Sequence, residues 1–323
     1  MDASNSNPHT SFLNQSQPHS SITSGGNNFT AVPIHIVTQQ SQLPVEFLKP
    51  SPENQLVIGL DCEGVDLSRY GTLCIMQLAF SDAIYIVDAI EGGAAVMEAC
   101  KPALESNYVT KALYFQFGIK LNNVMDTQVA YSIIEEQEGQ IKRVEDDYMS
   151  FVAVLADPRY CGVSYHEKEQ VRDLLRQDPS FWIRRPLSEI MIKSATDDVK
   201  FLLSIYQKMV HKLSNQSLSR VFVRGALYCR CFCLADTNAE WPPLSLIPGA
   251  EQIPEREILS ILNIPSHKMG PVIGKKGSFI RFVRQSSKAK IFAEGTAKKV
   301  FIIGRPEEVR RAKALIQGKI LEV

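Results

Sequence analysis

The chain has 323 residues, 45% of them apolar and 22% charged, and its 35 Lys and Arg balance its 35 Asp and Glu. That is an ordinary globular composition at a length that accommodates two domains. It excludes a membrane-spanning chain, because no apolar run approaches the roughly 18 residues a bilayer helix needs. The N-terminus also lacks the basic-then-apolar pattern of a secretory signal. Seven Cys residues show no regular framework, so a reduced intracellular protein, cytoplasmic or nuclear, is expected.

The neutral balance hides a division. Residues 253–323 hold 15 Lys and Arg against 6 acids, a net +9, and the remainder holds 20 against 29, a net −9. A basic module on an acidic body points to a polyanion as its partner, with a merely solvated basic face as the alternative.

Residues 1–30 are rich in Ser, Asn, Pro and Gly, with Asp2 as their one acid and no Arg. The missing Arg gives an organelle transit peptide little support, and the segment is too polar to offset its ordering entropy, which predicts disorder. Pro33-Ile34-His35-Ile36-Val37 is the first candidate strand, and residues 31–212 alternate apolar runs with helical patterns as an α/β domain does. Leu56-Val57-Ile58-Gly59-Leu60 reads as a buried strand with Asp61 and Glu63 at its tip. Residues i and i+2 on a strand share a face, and two carboxylates on one face repel unless something positive lies between them, usually a divalent cation. A solvated pair at a strand end is the alternative. Residues 73–80 and 84–88 read as two further strands.

Further on, Leu187-Ser188-Glu189 to Leu203 has helical spacing, with Asp198 beside Val199 and Asp197 expected to face solvent. Glu135-Glu136 and Glu145-Asp146-Asp147 read as solvated helix faces. Arg184-Arg185-Pro186 suits either a phosphate contact or a plain basic loop. Cys229-x-Cys231-x-Cys233 lacks a second ligand pair, so ordinary cysteines are favoured over zinc. Residues 213–252 read as a linker, helical up to about Cys233 and then Pro-rich.

The last unit, 253–323, runs strand (257–262), the turn Gly274-Lys275-Lys276-Gly277, helix (278–284), two strands (290–293 and 300–303) and a helix opened by Pro306. The glycines would let backbone approach a phosphate closely and the lysines would add charge.

With these residues in view, two resemblances stand out. The order of 253–323, with Val272-Ile273-Gly274-Lys275-Lys276-Gly277-Ser278-Phe279-Ile280, resembles a type I KH domain, a small α+β fold. The resemblance implies that Gly274, Lys275, Lys276 and Gly277 hold the backbone of single-stranded RNA, with DNA as the alternative. Ile273, Ile280 and Ile291 would line a groove for about four bases, with core packing weighed evenly against that role. Residues 31–212 resemble the DEDD exonucleases, the ribonuclease D-like branch of the ribonuclease H-like fold, which implies an α/β mixed sheet. In that family four acids hold two Mg²⁺ or Mn²⁺ ions. The resemblance assigns Asp61, Glu63 and Asp198 as catalytic and metal-binding.

Two departures follow. The Tyr or His that usually precedes the last Asp by four or five residues is replaced by Ser194 and Lys193. The second motif keeps only its end, Phe117-Gly118-Ile119 and Asp126-Thr127-Gln128, so its Asp and the apolar core of its strand look deleted, which leaves open whether the sheet has its full number of strands or is one short. Asp126 is a weak candidate to substitute. The pairing of the two domains resembles plant proteins that fuse a 3′–5′ exonuclease domain to a C-terminal KH domain. Two readings stay open: an RNA 3′–5′ exonuclease, or a catalytically impaired RNA-binding adaptor built on the same scaffold.

Overall fold

A computed structural model describes residues 32–67, 71–113, 121–139, 149–164, 167–232 and 257–322. The expected disorder of 1–30, the Pro-rich segment 233–252, the Glu145-Asp146-Asp147 run, and the Phe117-Gly118-Ile119 phrase lie outside them.

The first unit runs β1 (Ile34–Val37), α1 (Val45–Leu48), β2 (Leu56–Val65), β3 (Thr72–Ala79), β4 (Ile84–Asp88), α2 (Gly93–Glu105), β5 (Val109–Leu113), β6 (Val124–Met125), α3 (Thr127–Gln137), α4 (Phe151–Ala156), α5 (Glu167–Gln177), α6 (Glu189–Val199), α7 (Leu202–Lys212) and α8 (Asn215–Phe232). The second runs β7 (Ile258–Asn263), α9 (Met269–Ile273), α10 (Ser278–Ser287), β8 (Lys290–Glu294), β9 (Lys299–Gly304) and α11 (Pro306–Leu321).

Six strands form one mixed sheet in the order β1-β4-β3-β2-β5-β6. The β2–β3–β4 meander is antiparallel, and the outer pairings β1–β4, β2–β5 and β5–β6 are parallel. Strand alternation gives this sheet two faces. Leu60, Cys62, Met76 and Val87 pack with Phe47 of α1 and with Val96, Cys100 and Leu104 of α2. On the other face, Ile75 and Ile86 pack with Trp182 and with Met191 and Ala195 of α6.

The place beside β2, left open by the second motif, is filled. Val109–Leu113 occupies that place, pairing Leu56↔Val109 through Leu60↔Leu113 and then Lys111↔Val124 on its far side. An empty slot in mid-sheet would strand backbone N–H and C=O groups on both neighbours, so the next extended residues of the chain are drawn in. Residues 215–232 are helical, as the first part of that segment reads. As α8 they bring Val221, Phe222, Leu227 and Tyr228 into one core with Val129 and Ile133 of α3 and Ile205 and Met209 of α7.

The C-terminal sheet is antiparallel in the order β7-β9-β8. Its strand β9 is a continuous apolar run because the sheet is covered on both faces. Val300 and Ile302 meet Val272, Ile280, Val283, Val309 and Ala312 of the helices. Phe301 and Ile303, with Leu259 and Phe292, join the core that contains α8. Tyr228 meets Phe292 edge-on at 5.8 Å between ring centroids. Arg224 forks onto Glu257, its Nε donating to Oε2 at 2.9 Å.

Arg185 resolves the choice left open for the Arg184-Arg185 pair. Its guanidinium is largely buried and donates to Asp88 Oδ1 at 2.7 Å and to the carbonyls of Trp182 and Cys74 at 2.8 and 3.0 Å. It ties the loop before α6 to the end of β4 rather than offering charge to a phosphate. Arg184 is exposed and pairs with Asp178 at 2.7 Å. Removing one partner of a buried ion pair leaves the other charge uncompensated. Arg185→Met is therefore expected to cost about 3–5 kcal/mol in urea unfolding. Pairing it with Asp88→Leu should recover much of the loss, and a single-variant cost below about 1 kcal/mol would place the pair in solvent instead.

Candidate functional site

Asp61 and Glu63 lie inside β2 rather than at its tip, since the strand continues to Val65. The register against β3 shifts between Glu63 and Gly64, the kind of irregularity that re-aims side chains at the rim of a sheet. Gly59, two residues earlier on the same face, is what lets the last acid approach. A Cβ there would stand 2.9 Å from Leu202 Cβ and 3.2 Å from the Val199 carbonyl, so a larger residue would push the α6–α7 junction off the sheet. With glycine in place, Asp198, one residue before the end of α6, swings under β2.

Asp61, Glu63 and Asp198 come together with their ligand oxygens all within 4.8 Å of one another. Asp198 is buried and the two strand acids are half-buried. Burial and mutual repulsion hold all three in their protonated form more strongly than usual. The Asp61 carboxyl is pushed up to about 8 by burial and then by Asp198, against the pull of the Cys62 N–H and Lys168. Glu63 is raised well above the carboxylate range by burial and by Asp61 and Asp198. Burial also raises Asp198, with Lys168 opposing. Glu63 and Asp198 share a hydrogen bond, the way two acids relieve repulsion by keeping a proton between them.

The donor set fits a hard divalent cation. Three carboxylates are the ligands such ions take, and Asp198 Oδ2 is buried without a hydrogen-bond partner. On the neighbouring strand Gln77 sits opposite Asp61, fully buried, and neither atom of its amide has a partner. Buried polar groups are nearly always satisfied, so unpartnered ones beside an acidic cluster mark room for an ion and its water.

Other acids are placed elsewhere. Asp126 is not in the cluster: it caps α3, its Oδ1 accepting from the N–H groups of Gln128 and Val129 at 2.8 and 3.1 Å. Asp197, expected in solvent, is buried and held by Lys193 at 3.0 Å and by Lys200. Lys193 is thereby taken up with Asp197, and Ser194, at the position of the usual base, is buried. Glu135 and Glu136 are paired with Arg159 and Arg220 at 2.6 and 3.1 Å rather than solvated. Cys229 is buried in α8, while the side chains of Cys231 and Cys233 lie outside the described residues.

Sequence reasoning missed Lys168. Its ammonium bonds Asp198 Oδ1 and lies 5.5 Å from the centroid of the Phe151 ring. The available signal was a single Lys three residues before Val171, on the face by which α5 packs against α6.

In the C-terminal unit, Gly274 has φ +79° and ψ 164° between α9 and the turn, and a Cβ there would stand 2.6 Å from the Phe279 nitrogen. Only glycine fits. Gly277 also has positive φ, +76°, and Lys276 is left-handed, its carbonyl accepting from Arg281 Nη1 at 2.7 Å. Lys275 and Lys276 are exposed. Ile280 and Ile291 are buried in the core, and Ile273 is half-buried at its edge.

Comparison with known proteins agrees with both units. Residues 34–214 match the 3′–5′ exonuclease family and residues 259–318 match the KH domain. Human piRNA biogenesis protein EXD1 is 24% identical over 284 residues, covering 80% of this chain and 52% of that protein. Ribonuclease D of Xanthomonas oryzae is 23% identical over 241 residues, covering 71% of this chain and 60% of the relative. The chain thus spans about half the length of the human relative. The crystal structure of Trypanosoma brucei RNase D superposes with a TM-score of 0.54 at 18% identity, over 67% of this chain and 82% of that one, which shows the shared fold.

A carboxyl must lose its proton before it can ligate a cation, so the raised acids link metal uptake to pH. Mn²⁺ affinity, measured calorimetrically in buffers of different ionisation enthalpy, is expected to rise from pH 6 to pH 8 with protons released on binding. The metal-free protein has the opposite trend. Its folded Asp61 binds a proton up to about pH 8, whereas the ordinary carboxyl loses it near 3.8, so stability falls as pH rises across that interval. Asp61→Asn should flatten the fall.

Proposed function

We propose that this chain, which belongs to the 3′–5′ exonuclease family, removes nucleotides from the 3′ ends of single-stranded RNA held by its KH domain. The observation that carries this reading is the convergence of Asp61, Glu63 and Asp198 from two distant elements onto one cluster. A divalent cation, Mg²⁺ or Mn²⁺, held by these three carboxylates would neutralise charge at a phosphodiester and lower the pKa of a nearby water. The protein's own part is positional. Asp61 and Glu63 are held by their pairing with Gln77 and Ile75 of β3, β5 pairs with β2 just before them, and Asp198 is placed by the close approach at Gly59. The Lys275–Lys276 turn meets backbone phosphates through exposed charge and the glycine-permitted path of the main chain.

RNA is favoured over DNA as the ligand because relatives named for piRNA biogenesis and as ribonuclease D carry the same exonuclease region. A second reading, an RNA-binding adaptor on an exonuclease scaffold, draws support from Ser194: a buried hydroxyl stands where the family usually has Tyr or His.

A 5′-labelled single-stranded RNA incubated with Mn²⁺ separates the two. The exonuclease reading expects a ladder receding from the 3′ end, absent with Asp61→Ala/Glu63→Ala. Bound but intact RNA would establish the adaptor instead. In either case Lys275→Glu/Lys276→Glu is expected to weaken binding by about tenfold or more, roughly 1.4 kcal/mol, and to reduce its salt dependence.

A further inference from the structure

The acidic cluster has a resident positive charge. Lys168 enters it from α5, an element that belongs to neither acidic motif. Val171 and Leu175, on the same face of α5, pack with Met191 and Ala195 of α6 and so hold the lysine beside Asp198. The Lys168 side chain is 22% exposed and Asp198 is fully enclosed, so the contact is shielded from water. The Phe151 ring flanks the ammonium on another side. Its charge reaches beyond Asp198, since Asp61 and Glu63 both sense it. The other lysines of this region, Lys193 and Lys200, are bonded to Asp197.

We propose that Lys168 takes the place of one cation, so that Asp61, Glu63 and Asp198 bind a single divalent metal ion rather than two. This rests on the reading of the three acids as a cation site. Charge balance carries the step. Three carboxylates bring three negative charges and the ammonium returns one, leaving a deficit that one divalent ion fills. Two such ions beside Lys168 would put five positive charges against three negative ones in a shielded site, where the excess is costly. Geometry agrees: the ammonium has claimed Asp198 Oδ1, and Oδ2 is the oxygen without a partner. The two-ion site implied by family resemblance becomes a mixed one, in which a tethered ammonium and one ion share the acids.

The test counts bound ions directly and needs no turnover. Metal-free full-length protein is titrated with Mn²⁺ at fixed pH, free ion being followed by electron paramagnetic resonance, with Asp61→Ala/Glu63→Ala as the baseline for adventitious binding. The wild type is expected to take up one ion above that baseline. Lys168→Met is expected to bind Mn²⁺ about tenfold more tightly or to take up a second ion, since one positive charge a few ångströms away is gone. Lys168→Arg should behave as the wild type, which separates the charge from the fold, and near-UV circular dichroism checks each variant. Two ions in the wild type, or Lys168→Met unchanged in both number and affinity, would overturn the role of Lys168 and leave the exonuclease reading standing. No uptake above baseline in any folded variant would instead remove the cation site itself, and both readings with it.

Discussion

Three carboxylates within 4.8 Å of one another, one of them enclosed, repel by several kcal/mol unless protons or cations intervene. Much of the surrounding architecture serves to hold them there. Pairing with β3 holds Asp61 and Glu63, and pairing with β5 holds the residues of β2 just before them. Gly59 brings the α6–α7 junction onto the sheet, and the Arg185–Asp88 tie anchors the loop that leads into α6. Lys168 and the proton shared by Glu63 and Asp198 relieve the strain from within. A cluster so constrained cannot relax by moving, so it responds to its surroundings by taking up protons or metal.

The same constraint bears on the second motif. Shortening a mid-sheet strand would expose the backbone of β2, the strand that carries two of the three acids. Placing Val109–Leu113 in the slot preserves the parallel pairing over five residues and with it the position of Asp61. Among the described residues no fourth acid joins the cluster, and Asp126, the nearest candidate in that motif, spends its carboxylate capping α3. Three carboxylates less one ammonium still leave the cluster negative, so a cation can balance it.

Legibility in the sequence followed the range of the interactions. The apolar run that makes β2 a strand also puts Asp61 and Glu63 on one face, a local signal, whereas Asp198 stood out only through the resemblance of residues 187–203 to the family's last motif. The Gly274–Gly277 turn is local as well, because its backbone angles require glycine at a fixed spacing. Features that depend on distant partners were not readable. Asp197 looked like a solvent-facing neighbour, but Lys193 and Lys200 on its own helix turn make burial affordable. Arg185 suited a phosphate contact or a plain basic loop alike until β4 supplied Asp88, 97 residues away. Lys168 carried no motif, since its meaning depends on an acid 30 residues on. The helix at 215–232 was readable as a helix but its packing was not, because Phe301 and Ile303, which join its core, belong to the C-terminal sheet.

That last packing bears on how the two units combine. The C-terminal sheet presents Phe292, Phe301 and Ile303 to the core of α8, and the buried Arg224–Glu257 pair fixes the approach. The opposite face of the same sheet carries α9, α10 and the Gly274–Gly277 turn, with Lys275 and Lys276 exposed. Docking between the units therefore uses one side of the small sheet and leaves the turn on the other. Nucleic acid can reach the lysines without displacing α8, and a substitution at the turn can weaken binding without loosening the core. The arrangement holds the basic module against the acidic body through an apolar face and the Arg224–Glu257 ion pair, and leaves Lys275 and Lys276 exposed.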